Sequence, residues 1–256
     1  MIIIPDIHGR KFWKSAVKGH EEDDIVFLGD YLDCYTDDED TDNPLDNLKE
    51  IIEFKKEHKD NVILLLGNHD VHYFIPNVIK STRFSYWNEK EYYKLFTENY
   101  DLFQLCYEKE INGKRFLFSH AGILTDWFIF RSNGITINNI CDYLNNAYLV
   151  KDNHLGFLLS ALSKIRGGLD IAGSCIWADV KEHLLETEPH IDAYQVFGHT
   201  QLTEYPIITD RFACLDVRRA FVISTVFGTG EQTLITEQDG TPAIKYEELK
   251  SKFNGK

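Results

Sequence analysis

The sequence predicts an α/β fold, on three observations. Five short runs rich in Ile, Val, Leu and Phe recur along the 256 residues. Each run stops at a cluster that combines Gly with side chains fit for metal or proton chemistry. Helix-like segments separate the runs. In α/β proteins ligands collect beyond the carboxyl ends of the strands, so strand ends that carry such clusters mark a site as well as a fold.

The first run, Met1 to Ile4, is β-branched and suits a buried strand; it ends in Pro5-Asp6-Ile7-His8-Gly9-Arg10. Asp6 and His8 alternate with Ile7, which in extended backbone puts the carboxylate and the imidazole on one side. That pair suits a divalent ion. Residues 10–20 then read as a helix. The second run, Ile25 to Leu28, ends in Gly29-Asp30-Tyr31-Leu32-Asp33. Here Gly allows a sharp turn, a carboxylate follows at once, and Asp33 lies close enough to share the pocket.

The acidic stretch 36–43 reads as a solvated loop, because its spacing and its missing Gly do not fit a calcium-binding EF-hand. Leu45 to His58 shows the apolar spacing of an amphipathic helix. The third run, Val62 to Leu66, ends in Gly67-Asn68-His69-Asp70, and Asp70 reads as support at the turn. The aromatic segment that follows (Tyr86, Trp87, Tyr92, Tyr93, Phe96, Tyr100, Phe103) has helical spacing and reads first as core, second as a substrate platform.

The fourth run, Phe116 to Phe118, ends in Ser119-His120-Ala121-Gly122, and the fifth, Tyr194 to Phe197, in Gly198-His199-Thr200-Gln201. Between them, Ser163 to Gly168 places Lys164 and Arg166 before two glycines, a plausible phosphate-facing turn, and Ser174 to Asp179 reads as a compact turn. After residue 200 the pattern changes to short strands (212–215, 221–225, 233–236), predicting a β-meander, with a last short helix over 246–253. The expected organisation is a single domain over 1–256, with helical inserts at about 71–115 and 123–192.

Composition narrows the function. The formal net charge is −14. This disfavours nucleic acid as a partner, since phosphate neutralisation needs a basic footprint, although a local basic groove is compatible with it. No apolar run approaches the roughly 20 residues that span a bilayer. The N-terminus lacks the basic and apolar regions of a signal peptide. The five cysteines are scattered, odd in number and without a C-x-x-C pair, which predicts free thiols and a soluble, cytoplasmic protein.

Taken together, the strand ends offer Asp6, His8, Asp30, Asn68, His120 and His199. This oxygen and nitrogen donor set fits Mn²⁺, Fe or Zn²⁺ better than a thiolate site would, and it is large enough for two ions if one carboxylate bridges. Two divalent ions less two carboxylate charges leave a net positive site, suited to a phosphate ester and its transition state. Two ions about 3.5–4 Å apart can bind phosphate oxygens and hold a hydroxide in line for attack.

In this order, Asp-x-His-Gly, Gly-Asp-x-x-Asp, Gly-Asn-His-Asp, His-Ala-Gly and Gly-His-Thr resemble the motifs of the calcineurin-like metallophosphoesterases. They cover residues 6–200, and they resemble most the Ser/Thr protein phosphatase and dinucleoside tetraphosphate hydrolase branch. The resemblance implies a four-layer αββα sandwich. It implies that Asp6, His8 and Asp30 hold a first metal, that Asp30 bridges, and that Asn68, His120 and His199 complete the second. It further implies that His69 is the general acid for the leaving alkoxide and that Asp33 orients it, in keeping with an imidazolium beside a carboxylate.

Two positions depart from that pattern. Cys34 stands where the protein phosphatases carry Arg, so a phosphate-clamping guanidinium must come from elsewhere; Arg10 and Arg166 are the candidates. Gln201 stands where many nuclease-like members carry a second His, which removes one ligand and leaves a nuclease a poorer fit. Trp177-Ala178-Asp179 loosely resembles the Trp-Ser-Asp segment of the phosphatase branch. The expected function is dinuclear hydrolysis of phosphate monoesters, on phosphoproteins or small molecules. A nucleotide pyrophosphohydrolase is the alternative. A catalytically silent scaffold would require lost ligands, and all six are present.

Overall fold

The structure is a computed structural model that describes residues 1–35, 41, 43–132, 139–226 and 232–248. Its first sheet is built on parallel strands β1 (Ile2–Ile4), β2 (Ile25–Phe27), β3 (Val62–Leu65) and β4 (Phe103–Gln104). On the far side of β1 lie β10 (Phe221–Val226), antiparallel to β1, and then β11 (Gln232–Glu237), antiparallel to β10. The second sheet runs β5 (Cys106–Ile111), β6 (Lys114–Ser119), β7 (Tyr194–Phe197), β9 (Phe212–Cys214) and β8 (Ile207–Ile208).

The three leading strands carry no polar alternation because both of their faces are covered. Ile2 and Ile4, Ile25 and Phe27, and Val62 and Leu64 face helices α1 (Phe12–Val17) and α2 (Pro44–Glu57), where they meet Trp13, Ala16, Val17, Leu48, Ile51 and Ile52. The alternate residues Ile3, Val26 and Leu65 face the second sheet and pack with Phe116, Phe118, Val196 and Ala213. The outer face of that sheet buries Phe197, Phe212 and Cys214 against Val180 of α8 (Val180–Leu185). The layers therefore run helix, sheet, sheet, helix, as the fold of this class requires. Each fully buried apolar side chain in such a core contributes about 1.5–3 kcal/mol.

Helix α2 starts where its sequence says it should: the Asn43 carboxamide accepts from Leu45 N at 3.0 Å, and Pro44 opens the first turn, where its missing N–H costs nothing. The aromatic stripe is mostly core. Phe96 of α4 (Glu89–Glu98) stacks on Phe74, and Tyr100 stacks on Tyr148, while Tyr86 and Trp87 stay exposed.

Four expectations need correction. The segment 71–115 is not helical throughout: β4, β5 and the start of β6 close it, and the charged alternation of Glu108, Lys109 and Glu110 fits β5 at the edge of its sheet. The tail is not a meander either. Strand β9 joins the second sheet beside β7, whereas β10 returns to the first sheet beside β1, so sequence neighbours part company. A further strand, β8, pairs with β9. Finally, Cys106 and Cys141 form a disulfide across 35 residues, because β5 packs against α6 (Ile140–Leu149) and brings their Cα atoms to 5.0 Å. Cys34, Cys175 and Cys214 keep their thiols.

The segment 123–192 holds helices α5 (Thr125–Arg131), α6, α7 (Leu155–Leu159) and α8. Most of the acidic stretch 36–43 and residues 249–253 of the expected last helix lie outside the described residues; 246–248 are helical. Among the described residues, no helix is long and apolar enough to cross a membrane.

Candidate metal centre

Strands β1, β2 and β3 run parallel, as do β6 and β7, so their carboxyl ends open towards one rim of the sandwich. The candidate residues follow those ends directly. Four of them take a backbone conformation that L-residues avoid: His8 (φ 45), Asp30 (φ 54), Asp33 (φ 57) and His199 (φ 64). Each such residue costs on the order of 1–3 kcal/mol, and such residues cluster where the fold must aim side chains that an ordinary strand exit would not aim.

Two glycines make that close approach possible. A Cβ on Gly67 would collide with the Asp30 carboxylate and crowd the His120 ring, and a Cβ on Gly198 would collide with the Asp6 carboxylate. Asp70 ties the rim together, as its place at the turn suggests. Its fully buried carboxylate accepts from Gly67 N (2.8 Å), Asp30 N (2.7 Å) and Tyr31 N (2.9 Å), which clamps the end of β3 to the end of β2.

Among the described residues, three groups bring potential metal-ligating atoms within 4.8 Å of one another: Asp6 with His8 and Asp30; Asp30 with His120 and His199; and Asp33 with His69 and His72. The first two groups share Asp30. Its Oδ2 stands 3.5 Å from His8 Nε2 and 3.4 Å from His120 Nε2. The other ring nitrogens of those histidines face backbone carbonyls, His8 Nδ1 at 2.9 Å from Leu32 O and His120 Nδ1 at 2.8 Å from Leu28 O. Such bonds fix the tautomer and turn Nε2 into the pocket.

Asn68 is aimed in the same way. Its Nδ2 donates to Ser81 Oγ at 2.8 Å, so Oδ1 faces inward, 3.1 Å from His120 Nε2. His199 Nδ1 lies 3.1 Å from the same His120 nitrogen, and His199 N donates to the Asp6 carboxylate at 2.9 Å.

The electrostatics suit cations. Burial pushes Asp6 up to about 6, with the nearby Asp30 carboxylate adding to the effect. Burial likewise disfavours charge on Asp30, but His120, His69 and His8 outweigh it and hold that carboxyl well below the usual range. Burial holds His8 down at about 3. Burial, then Arg166, holds His199 well below its ordinary value. Neutral imidazoles, as at His8 and His199, and an ionised carboxylate, as at Asp30, are the forms that ligate metals. Burial disfavours charge on His120, but Asp30 and Asp6 outweigh it and lift that imidazole to about 10, so an ion bound there displaces its proton. His199 turns Nδ1 towards the His120 nitrogen, and its buried Nε2 has no hydrogen-bond partner among the described residues. On donor chemistry and orientation, the six residues fit two divalent ions.

His69 belongs to the third group. Its Nδ1 lies 2.8 Å from Asp33 Oδ2, its backbone N–H donates to Asp30 Oδ1 at 2.8 Å, and its ring packs edge-on to His8 with centroids 5.1 Å apart. Two residues that the motifs do not mark complete the arrangement. His72 Nε2 sits 3.1 Å from Asp33 Oδ2, and the Tyr73 hydroxyl donates to Asp33 Oδ1. Burial disfavours the Asp33 charge, but these three partners hold its carboxyl below the usual range. The signal for them was in the sequence: His72 and Tyr73 stand three and four residues after His69, just past the end of the short helix α3 (Asn68–Val71), a spacing that returns side chains to one side of a helical turn. Ser81 carries no such mark.

The two arginine candidates part. Arg166 is half-buried beside His199. Its Nη2 donates to Thr200 Oγ1 at 2.9 Å, and its Nε lies 2.9 Å from Asp179 Oδ2. The turn 174–179 supplies that Asp179 and packs Trp177 edge-on to His199 at 5.8 Å. Arg10 is only 2% exposed; its Nη1 donates to Asp6 O at 3.1 Å, and its charge acts on the buried Asp6 and Asp216 carboxyls. That position suits holding the end of β1 better than meeting a substrate.

The family model described as calcineurin-like phosphoesterase matches residues 2–202. A search of curated proteins returns no match. Among solved structures, the chain is similar to a protein serine/threonine phosphatase from Saccharomyces cerevisiae with similarity to human phosphatase PP5, at 14% identity and a TM-score of 0.49, covering 92% of this chain and 79% of that one.

Proposed function

This chain belongs to the calcineurin-like phosphoesterases and is a hydrolase, and from that premise we propose that it hydrolyses phosphate monoesters with two divalent ions, Mn²⁺ being our choice. The observation that carries the reading is the shared carboxylate: Asp30 Oδ2 lies between His8 Nε2 and His120 Nε2, each at about one ligand shell's reach. Asp6, His8 and Asp30 would hold one ion, and Asp30, Asn68, His120 and His199 the other. Bound there, the ions supply Lewis-acid stabilisation of phosphoryl charge and a nucleophile at neutral pH.

The chain's own residues do the rest. Arg166, held by Thr200 and Asp179, orients phosphate oxygens at the His199 side. Asp33 fixes His69 with Nδ1 inward, which leaves Nε2 to give a proton to the leaving oxygen. His72 and Tyr73 hold Asp33 and act through it.

The test is hydrolysis of an aryl phosphate by metal-loaded protein, stimulated by Mn²⁺ and lost on chelation, with metal analysis giving two ions per chain. A metal-replete protein with no turnover on monoester, diester or pyrophosphate substrates would overturn the reading.

A further inference from the structure

Five strand ends carry the candidate ligands, and the fold brings a sixth to the same rim. Strands β7 and β9 pair in parallel, with Phe197 opposite Cys214. Two residues beyond that pair, His199 leaves β7 and Asp216 leaves β9, so the two emerge side by side. Leu215 N donates to Phe197 O at 2.8 Å, and Leu202 N donates to Asp216 O at 2.8 Å, which fixes the exit of β9 against the segment that carries His199. In sequence, the apolar run Phe212 to Leu215 stops at Asp216 much as the other runs stop at their ligands.

Asp216 is 4% exposed, and its Oδ1 has no hydrogen-bond partner among the described residues. A buried carboxylate oxygen without a donor is rare in folded proteins and asks for a partner from outside the chain. Burial, then the Asp6 carboxylate, push the Asp216 carboxyl well above the usual range, and Arg10, Asp30 and His120 are the next charges that act on it. The surroundings of this carboxyl are therefore the candidate metal centre, on its Asp6 side. Asp216 stands outside the three groups whose ligand atoms lie within 4.8 Å of one another, so it sits one layer out from Asp6, His8 and Asp30. That is the place of a carboxylate that meets an ion through a water.

The neighbouring Gln201 leaves the first ion short of a ligand. It stands where nuclease-like members carry a second His, yet its side chain is exposed and, with the carboxamide oxygen turned towards Arg218, accepts from Arg218 Nη2 at 2.6 Å. The first ion then has Asp6, His8 and Asp30, against four ligands for the second. We propose that Asp216 completes the first ion's site from the next layer, its Oδ1 accepting a hydrogen from a water bound to that ion. The inference rests on the two-ion reading above and adds a positioning residue to it.

Calorimetric titration of the full chain with Mn²⁺, starting metal-free, tests it on wild type, Asp216→Asn, Ser81→Ala and the double variant. Asp216→Asn keeps the shape of the side chain and removes its charge. One site should weaken about 10–100-fold and the other stay unchanged, the range for residues that orient what binds a metal. Ser81 aims Asn68 and so acts on the second ion; the double variant should therefore show both sites weakened. The metal-free melting temperature of Asp216→Asn separates this role from a structural one. It should equal or exceed that of wild type, because the variant removes a buried carboxyl whose oxygen nothing in the fold satisfies. Wild-type affinity at both sites in Asp216→Asn overturns the proposal, as does a double variant in which one site weakens twice and the other not at all. An Asp216→Asn chain that fails to fold, or melts lower without metal, assigns the residue to the fold and overturns the proposal too. A wild-type chain that takes up no ion overturns the two-ion reading and this inference with it, so the wild-type titration tells the two failures apart.

Discussion

His69 and Asp33 meet at 2.8 Å across 36 residues of chain, one on the helical turn after β3 and the other on the loop after β2. Asp33 reaches that place through a left-handed backbone and is gripped by Tyr73 and His72 as well. A carboxylate held on three sides is a rigid anchor for an imidazole. His69→Asn and Asp33→Asn should each lower kcat about 10²-fold or more, the usual worth of a positioned proton donor, while metal content stays that of the wild type. Steady-state kinetics with metal analysis checks both, and unchanged turnover in His69→Asn would mean that the acid lies elsewhere.

Ser81 aims Asn68 by accepting from its Nδ2 and donating to its carbonyl. Ser81→Ala should free the carboxamide to rotate and weaken one of the two ions by about 10–100-fold, the range for residues that orient a ligand. A Mn²⁺ titration of the variant should resolve one weakened and one unchanged site.

Metal should also stabilise the fold. Asp6 and Asp30 are buried close together, and the Asp30 carboxylate disfavours charge on Asp6. Cations relieve that repulsion, and an ion at a hundredfold excess over its Kd adds about 2.7 kcal/mol. The melting temperature should rise with Mn²⁺, and Asp30→Asn should flatten the response because both ligand groups lose their shared member. An identical metal response in that variant would argue against a shared carboxylate.

The Cys106–Cys141 bridge ties β5 to α6. Its removal should cost about 2–4 kcal/mol, the usual contribution of a native disulfide. Denaturant melts with and without reductant, and of the Cys106→Ala, Cys141→Ala double variant, should show the same loss, with no further effect of reductant on the variant.

His183 gives the fold a pH dependence of its own. Burial against Gly122 and Phe197 holds its imidazole down at about 4, and its Nε2 lies 3.0 Å from Ala121 O. Between about pH 6.5, where a His in the unfolded chain gains its proton, and about pH 4, the unfolded state binds a proton that the folded state does not. The stability it contributes is therefore full above that window and lost as pH falls through it. His183→Gln should be less stable at pH 7 and should show a flatter loss of stability across the window than wild type, measured by denaturant midpoints.

The sequence by itself determined the α/β class, the five strand ends and the order of the residues that follow them. It could do so because a strand buried on both faces is written as a continuous apolar run, and the polar residues at its end stand out against it. Phe27, Leu64 and Val196 needed no partner to be recognised. Tertiary structure decided what depends on which strand lies beside which. Strand β9 left its neighbour for the other sheet, and Cys106 found Cys141 only because α6 settles on β5. Arg83 and Arg218 came to the Tyr35 ring from loops 135 residues apart in number, held in conformations that no local pattern records. Arg10 and Arg166 looked equivalent as basic residues beside glycines, and burial alone separated them. Local propensity and periodicity are properties of neighbouring residues, whereas distance across a sandwich is set by packing, which only the folded chain possesses.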